Sequence, residues 1–107
     1  MEVNQYSIVL AGQDPASGNE AGNGVQCVVI SPAEMNSALR TITLAPLCPD
    51  TEDYPTRVRI KTGTKQVRIA LDQITTIEKK RILKVIGDLN PAEVKKVKSV
   101  LKEIFID

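Results

Sequence analysis

The chain has 107 residues and a formal net charge of +1, with 42% hydrophobic and 25% charged residues, which is an ordinary globular composition for one domain with no length left for a second core. Aromatics make up 3% and Trp is absent, so the core is aliphatic and a nucleic-acid surface built on stacked rings is nearly excluded. The absence of any histidine removes Ser-His-Asp and Cys-His pairs, imidazole acid–base catalysis and His-ligated zinc, and the two cysteines, Cys27 and Cys48, cannot complete a four-ligand site.

No cofactor or metal is therefore expected. The first basic residue is Arg40 and no apolar run approaches a membrane span, so neither a secretory leader nor a membrane helix is expected. A cytoplasmic protein with Cys27 and Cys48 as free thiols follows as the expectation, although the pair can form one disulfide. The charge is polarised. Residues 1–53 carry seven carboxylates against Arg40, a net −6, and residues 54–107 carry thirteen bases against six acids, a net +7. Such a molecule can attract a polyanion on one side, a second copy of itself, or an oppositely charged partner.

In chain order, the apolar run from Tyr6 to Ala11 stops at Gly12 and predicts a strand. Four glycines and a proline between Gly12 and Gly24 predict a long loop, of the kind that is functional or mobile in a compact domain. Val25 to Ile30 predicts a second, more deeply buried strand. Ser31, Pro32 and Glu34 form a helix-start signature, with Ser31 as N-cap and Glu34 at the capping-box position, for a short helix reaching Leu39. Thr41 to Ala45 alternates and predicts a third strand, ended by Pro46 and Pro49.

Beyond a loop at 50–55, Thr56 to Lys61 and Gln66 to Leu71 predict a hairpin with Val58 and Ile60 inward. A helical turn through Glu78–Arg81 and a brief strand near Leu83–Ile86 come next. Asn90, Pro91 and Glu93 repeat the cap-plus-box signature, and Val94, Val97, Leu101 and Ile104 recur at helical spacing as one apolar stripe. Lysines 95, 96, 98 and 102 lie mostly off that stripe, as a solvated face. Five or six short strands with one C-terminal helix predict a mainly β fold with α, a small β-barrel closed by a helix.

The order of these signals resembles the MazF/PemK family of toxins from bacterial toxin–antitoxin pairs. Asp14-Pro15 through Gly18, Asn19, Glu20 and Gly22 is similar to the family's D-P-x-x-G-x-E-Q-x-G loop. Val28 to Pro32 with Met35-Asn36 resembles its V-L-S-P…F-N segment, Ala45-Pro46-Leu47 its A-P-I-T strand, and Tyr54-Pro55 the opening of the next strand. Leu71 to Ile77 resembles L-D-Q-V-R-T-I, and Asp88 to Glu93 the L-S-P-E start of the last helix. The likeness covers nearly the whole chain, residues 1–107, in the right order.

It implies an SH3-like β-barrel of the CcdB/PemK kind, a homodimer, and metal-independent endoribonucleolytic cleavage of single-stranded mRNA. It also implies an antitoxin whose peptide tail blocks the groove, and operator DNA bound through the toxin–antitoxin complex. The catalytic positions that it marks are Glu20, Gln26, Cys48 and Asp72; the substrate-contacting ones are Asp14, Asn19, Gln73 and Thr75.

Metal-free RNA cleavage needs a base for the 2′-hydroxyl, a cation or donors for the pentavalent phosphorane, and an acid for the leaving oxygen. At the family's G-x-R-P motif this chain reads Gly24-Val25-Gln26-Cys27, so Gln26 stands where arginine is expected. Cys48 replaces the threonine of A-P-I-T, and Thr75 replaces the arginine of Q-V-R-T. The acids Glu20 and Asp72 remain. The loops Gly12–Gly24 and Leu47–Pro55 hold Asp14, Glu20, Asp50, Glu52 and Asp53 and no base, which opposes phosphate binding unless bases of the 57–68 hairpin compensate.

Plainer readings stand beside these. Asp14-Pro15 can be a turn, Glu20 a solvated carboxylate, Asp72 and Gln73 braces for a loop, and Cys27 simple packing. Cys48 has no histidine to activate it as a nucleophile. The alternative to an enzyme is a catalytically impaired toxin-fold homologue that binds an antitoxin peptide as a dimer. A gyrase poison on the related barrel ranks last, because that activity is associated with a Trp-containing tail and this chain ends Glu103 to Asp107.

Overall fold

Alternating aliphatic residues make the first two strands central and two-faced. In a computed structural model that describes residues 3–12, 24–49, 56–62 and 64–106, β1 (Ser7–Ala11) pairs antiparallel with β2 (Val25–Val29), with Val9 opposite Cys27. Ile8 and Val28 point into one core, and Val9, Cys27 and Val29 into a second on the other face. Burial on both sides explains why these strands read as short apolar runs. β2 is buried only from Cys27 onward, since Val25 and Gln26 are exposed. Gly24 just before it is needed for close approach: a Cβ there would lie 2.6 Å from the Leu10 side chain. Tyr6 belongs to a turn, at φ 69°, rather than to β1.

The expected capping box of the first helix is not formed. Helix α1 (Ala33–Ala38) has Pro32 at its N-cap with no side-chain cap. Ser31 is buried, its hydroxyl donating to Asn36 Oδ1 and accepting from the Thr43 amide at 3.1 Å. Asn36 in turn donates to the Ser31 carbonyl at 2.9 Å. The local signal loses to this tertiary network, because a buried hydroxyl must satisfy its hydrogen bonds with the partners that burial gives it.

Strand β3 (Thr41–Pro49) runs through Pro46 instead of stopping there. One side of it pairs with β2, and the other changes partner: Thr41–Leu44 pair with β6 (Thr75–Glu78), and Leu47–Pro49 with β5 (Lys65–Ala70). Pro46 falls in the gap between those two ladders, where a missing N–H is tolerated. The hairpin of β4 (Arg57–Thr62) and β5 forms as predicted, with Val58 and Ile60 buried.

Single 3-10 turns at Leu71–Gln73 and Lys79–Arg81 flank β6, so the segment expected as helical at 78–81 is one turn after a strand. Strand β7 (Ile82–Asp88) then pairs with β1, longer than expected. The sheet order is β4-β5-β3-β2-β1-β7 with β6 beside β3: seven strands among the described residues, curved into a half-barrel. Helix α2 (Pro91–Phe105) starts as predicted, with Asn90 accepting from the Glu93 amide at 2.8 Å and Glu93 accepting from the Asn90 amide at 2.9 Å. Its Val97 is fully buried against Ile8, Val28, Ile69 and Leu71, and Val94, Leu101 and Ile104 pack around that core. Among the described residues no helix is long and apolar enough to cross a membrane.

Candidate active site

The curvature brings the ends of β2 and β3 and the β4–β5 hairpin around one open groove of about 700 Å³. Gln26, Cys48, Thr62, Lys65, Gln66 and Ile86 contribute to its walls. Two positions marked in the sequence, Gln26 and Cys48, thus meet on one groove from separate strands. Gln26 reaches it because β2 leaves the core at its N-terminal end. Cys48 reaches it because β3 continues past Pro46 to pair with β5, placing Cys48 opposite Arg68.

Asp72 does not line the groove, but is tied to Cys48 through a residue that the motif comparison does not mark. Arg57, the first residue of β4, donates from Nε and Nη2 to the two Asp72 carboxylate oxygens at 3.3 and 3.4 Å. Its Nη1 donates to Cys48 Sγ at 3.5 Å. Thr56 adds a hydroxyl bond to Asp72 at 3.1 Å. The Arg57 guanidinium, first of all through its hydrogen bonds, holds the Asp72 carboxyl below its usual pKa, so Asp72 is anionic at neutral pH. Cys48 donates its thiol to the Arg68 carbonyl at 3.4 Å.

The pairing register sets Cys48, Arg68 and Arg59 side by side on the face of the sheet away from the α2 core. Strand order assembles this face, with Arg68 buried in it and Arg59 exposed. Its sequence signal is the alternation of Arg57, Arg59 and Lys61 between inward aliphatics, which a solvated strand shows equally well.

The remaining sequence-marked positions divide in two. Gln73 and Thr75 are exposed, the first in the turn after β5 and the second at the start of β6 opposite Leu44, and neither lines the groove. Asp14, Asn19 and Glu20 lie outside the described residues. Among the described residues no three His, Cys, Asp or Glu side chains come together as metal ligands.

Both cysteines are free thiols. Burial pushes the Cys27 thiol up to about 11, opposed only by the charge of Arg81, whereas Cys48 is half-buried on the groove wall. The folded protein at pH 8 is therefore expected to react with an alkylating reagent at Cys48 alone, and at both thiols in denaturant. Mass spectrometry of the labelled protein checks this, and rapid native labelling of Cys27 would contradict the packing described.

The described residues thus form a mainly β half-barrel with a C-terminal helix packed on one of its two cores. Residues 4–105 match the family described as the PemK-like, MazF-like toxin of type II toxin–antitoxin systems, and the chain belongs to that family. Its fold is similar to MazF (Form-I) from Deinococcus radiodurans, at 18% identity and TM-score 0.78, covering 100% of this chain and 99% of that one. It is also similar to the toxin MazF-mt6 of Mycobacterium tuberculosis, at 16% identity and TM-score 0.77, covering 94% and 96%. A third likeness is to an endoribonuclease solved in complex with its cognate antitoxin from a mycobacterial species, at 14% identity and TM-score 0.74, covering 95% and 91%. No curated protein sequence matches the chain.

Proposed function

We propose that this chain is a toxin that cleaves single-stranded RNA without a metal ion, as a cytoplasmic homodimer restrained by an antitoxin peptide. With that antitoxin it would bind its operator DNA. The observation that carries this reading is the meeting of Gln26 and Cys48 on one groove beside Lys65, the Cys48 side being tied through Arg57 to Asp72. A groove of about 700 Å³ lies within the range of sites that hold small ligands, enough for the nucleotides flanking one phosphate.

In the reaction, the 2′-oxygen attacks the adjacent phosphorus and forms the new P–O bond while the P–O5′ bond breaks. The products are a 2′,3′-cyclic phosphate and a 5′-hydroxyl. Glu20 is the carboxylate proposed to take the 2′ proton, and water returns one to the leaving oxygen. Asp14 and Asn19 are proposed contacts to the RNA beside the phosphate, and Gln73 and Thr75, exposed outside the groove, to RNA that extends beyond it.

The test is incubation of the pure protein with a long RNA, with and without EDTA, and mapping of the ends. Cleavage in both conditions, leaving 5′-hydroxyl ends, is expected; intact RNA would favour the second reading, a dimeric toxin-fold protein that only binds an antitoxin peptide. The lack of charge on Gln26 is the observation behind that second reading.

The proposed dimer has a surface to form on. Strand β7 is last in the sheet order and exposes Leu83, Val85 and Ile86, and an apolar edge strand invites another chain. Ile86 also lines the groove, so a second copy seated on β7 would extend the groove. Val85→Asp is expected to turn a dimer into a monomer at micromolar concentration in sedimentation with little change in far-UV CD. An unchanged dimer would place the interface elsewhere.

A further inference from the structure

We propose that Lys65 anchors single-stranded RNA in the groove by binding a backbone phosphate, a contact that serves affinity and not the chemical step. This rests on the reading of the groove as an RNA site. Side chains alternate along a strand, so Lys65 shares a face of β5 with Val67 and Ile69, and Thr62 shares a face of β4 with Val58 and Ile60. Val58, Ile60 and Ile69 belong to the core beneath α2, and Lys65 lies opposite Thr62 across the hairpin. On β2, Gln26 likewise shares a face with Val28 of that same core. These three polar side chains continue the core-facing rows past their last buried residues and meet on the groove.

Lys65 is the one charged residue lining the groove among the described residues, and it forms no ion pair among them. The other bases of the hairpin are placed differently. Arg57, Arg59 and Arg68 do not line the groove and have partners of their own. Lys61 belongs to the opposite row of β4, with Arg59, and also stays outside the groove. A polyanion entering the groove therefore meets a single cation there, beside the uncharged amide of Gln26 and hydroxyl of Thr62.

The rest of the lining fits that role. Leu47, Val67 and Ile86 give the groove aliphatic surface, along which a four-methylene stem can lie while its ammonium stays in water. An ammonium binds phosphate as a point charge from any of several directions, which suits a backbone that must thread and leave. Lys65 is exposed at the start of β5, so it is not fixed in advance as a group that stabilises a transition state must be. No proton passes through it.

The experiment measures binding of a 2′-O-methyl RNA oligonucleotide, whose blocked 2′-oxygens prevent cleavage, by fluorescence anisotropy in EDTA over a series of KCl concentrations. The proteins are the parent, Lys65→Gln, Lys65→Arg and the opposite-face control Lys61→Gln, with far-UV CD to verify folding. Single-turnover cleavage of the matching 2′-hydroxyl oligonucleotide, at protein concentrations up to saturation, separates affinity from rate. Lys65→Gln is expected to bind about tenfold more weakly at low salt, as for loss of one charged hydrogen bond. Its slope of log K against log salt should be shallower by about 0.7, the share of one phosphate contact on a single strand. Lys65→Arg should keep both values near the parent's, Lys61→Gln should change neither, and saturated Lys65→Gln should cleave at the parental rate.

A folded Lys65→Gln with parental affinity and salt slope overturns the proposal while the ribonuclease reading stands. So does an equal loss in Lys61→Gln, which would mean diffuse attraction and no anchored phosphate, or a slower saturated rate with unchanged binding, which would place Lys65 in the chemistry. A parent that binds the oligonucleotide but cleaves no RNA overturns the ribonuclease reading alone, and the binding arms still decide the role of Lys65. A parent that cleaves RNA but shows no salt-dependent binding overturns the anchor, and a parent that does neither overturns both.

Discussion

Gln26→Arg combined with Cys48→Thr is expected to raise metal-free RNA cleavage by at least about 10²-fold over the parent. Gln26 and Cys48 face one groove from β2 and β3, so the first change adds a guanidinium to its wall and the second exchanges a weak thiol donor for a hydroxyl. A phosphate in the groove would then meet a fixed charge from β2 and a hydroxyl from β3. The introduced hydroxyl would still accept from Arg57 Nη1, as Cys48 Sγ does now.

The acids Asp50, Glu52 and Asp53 supply the control. Changing all three to Asn or Gln in the same background separates a site that cannot react from RNA that cannot dock, since removing like charge strengthens phosphate binding whatever the chemistry. A folded double variant no faster than its parent in either background would show that the Gln26 wall does not face the reacting phosphate.

The largest stability effect is expected from Ile69→Ala, at about 2–5 kcal/mol, or a fall in Tm of roughly 10–20 °C. Ile69 is fully buried and lies between Leu47 of β3 and Val58 of β4, under the α2 helix that Val97 anchors. Truncation leaves a cavity at the point where β3 changes partner. The neighbours in the sheet, Cys48 and Arg68, sit one residue away on the opposite face, so groove geometry depends on this same packing. Thermal and urea unfolding measure the effect; a Tm within a few degrees of the parent's would mean that the hairpin is not clamped by this core.

What the sequence makes legible is local. Helix α2 can be read to its first residue, because Asn90, Pro91 and Glu93 form a cap whose partners all lie within four residues. The hairpin is equally plain from the alternation of Val58 and Ile60. Ser31 misleads for the opposite reason: its partners Asn36 and Thr43 converge only in the fold, and a buried network outweighs a surface cap. Pro46 misleads too, since a proline is compatible with a strand interior only where the ladder is interrupted, and the switch from β6 to β5 is not visible in one strand's sequence.

The site follows the same division. Gln26 and Cys48 are found by resemblance and do share a groove. Arg57 is invisible to it, because its place beside Cys48 depends on the order β3-β5-β4 and on an Asp72 contributed by the turn after β5. A run of alternating bases predicts only a basic strand face; which neighbour that face meets is decided by pairing register.

The ribonuclease reading is tested most directly by one substituted nucleotide. Once the cleaved position in a long RNA is mapped, the parent protein is given, in EDTA, an oligonucleotide spanning that position with either a 2′-hydroxyl or a 2′-deoxy sugar there. Complete dependence on the 2′-hydroxyl, with a 2′,3′-cyclic phosphate on the product, is the predicted result, since that oxygen is the attacking group. Equal cleavage of both oligonucleotides, or none of either, would contradict it.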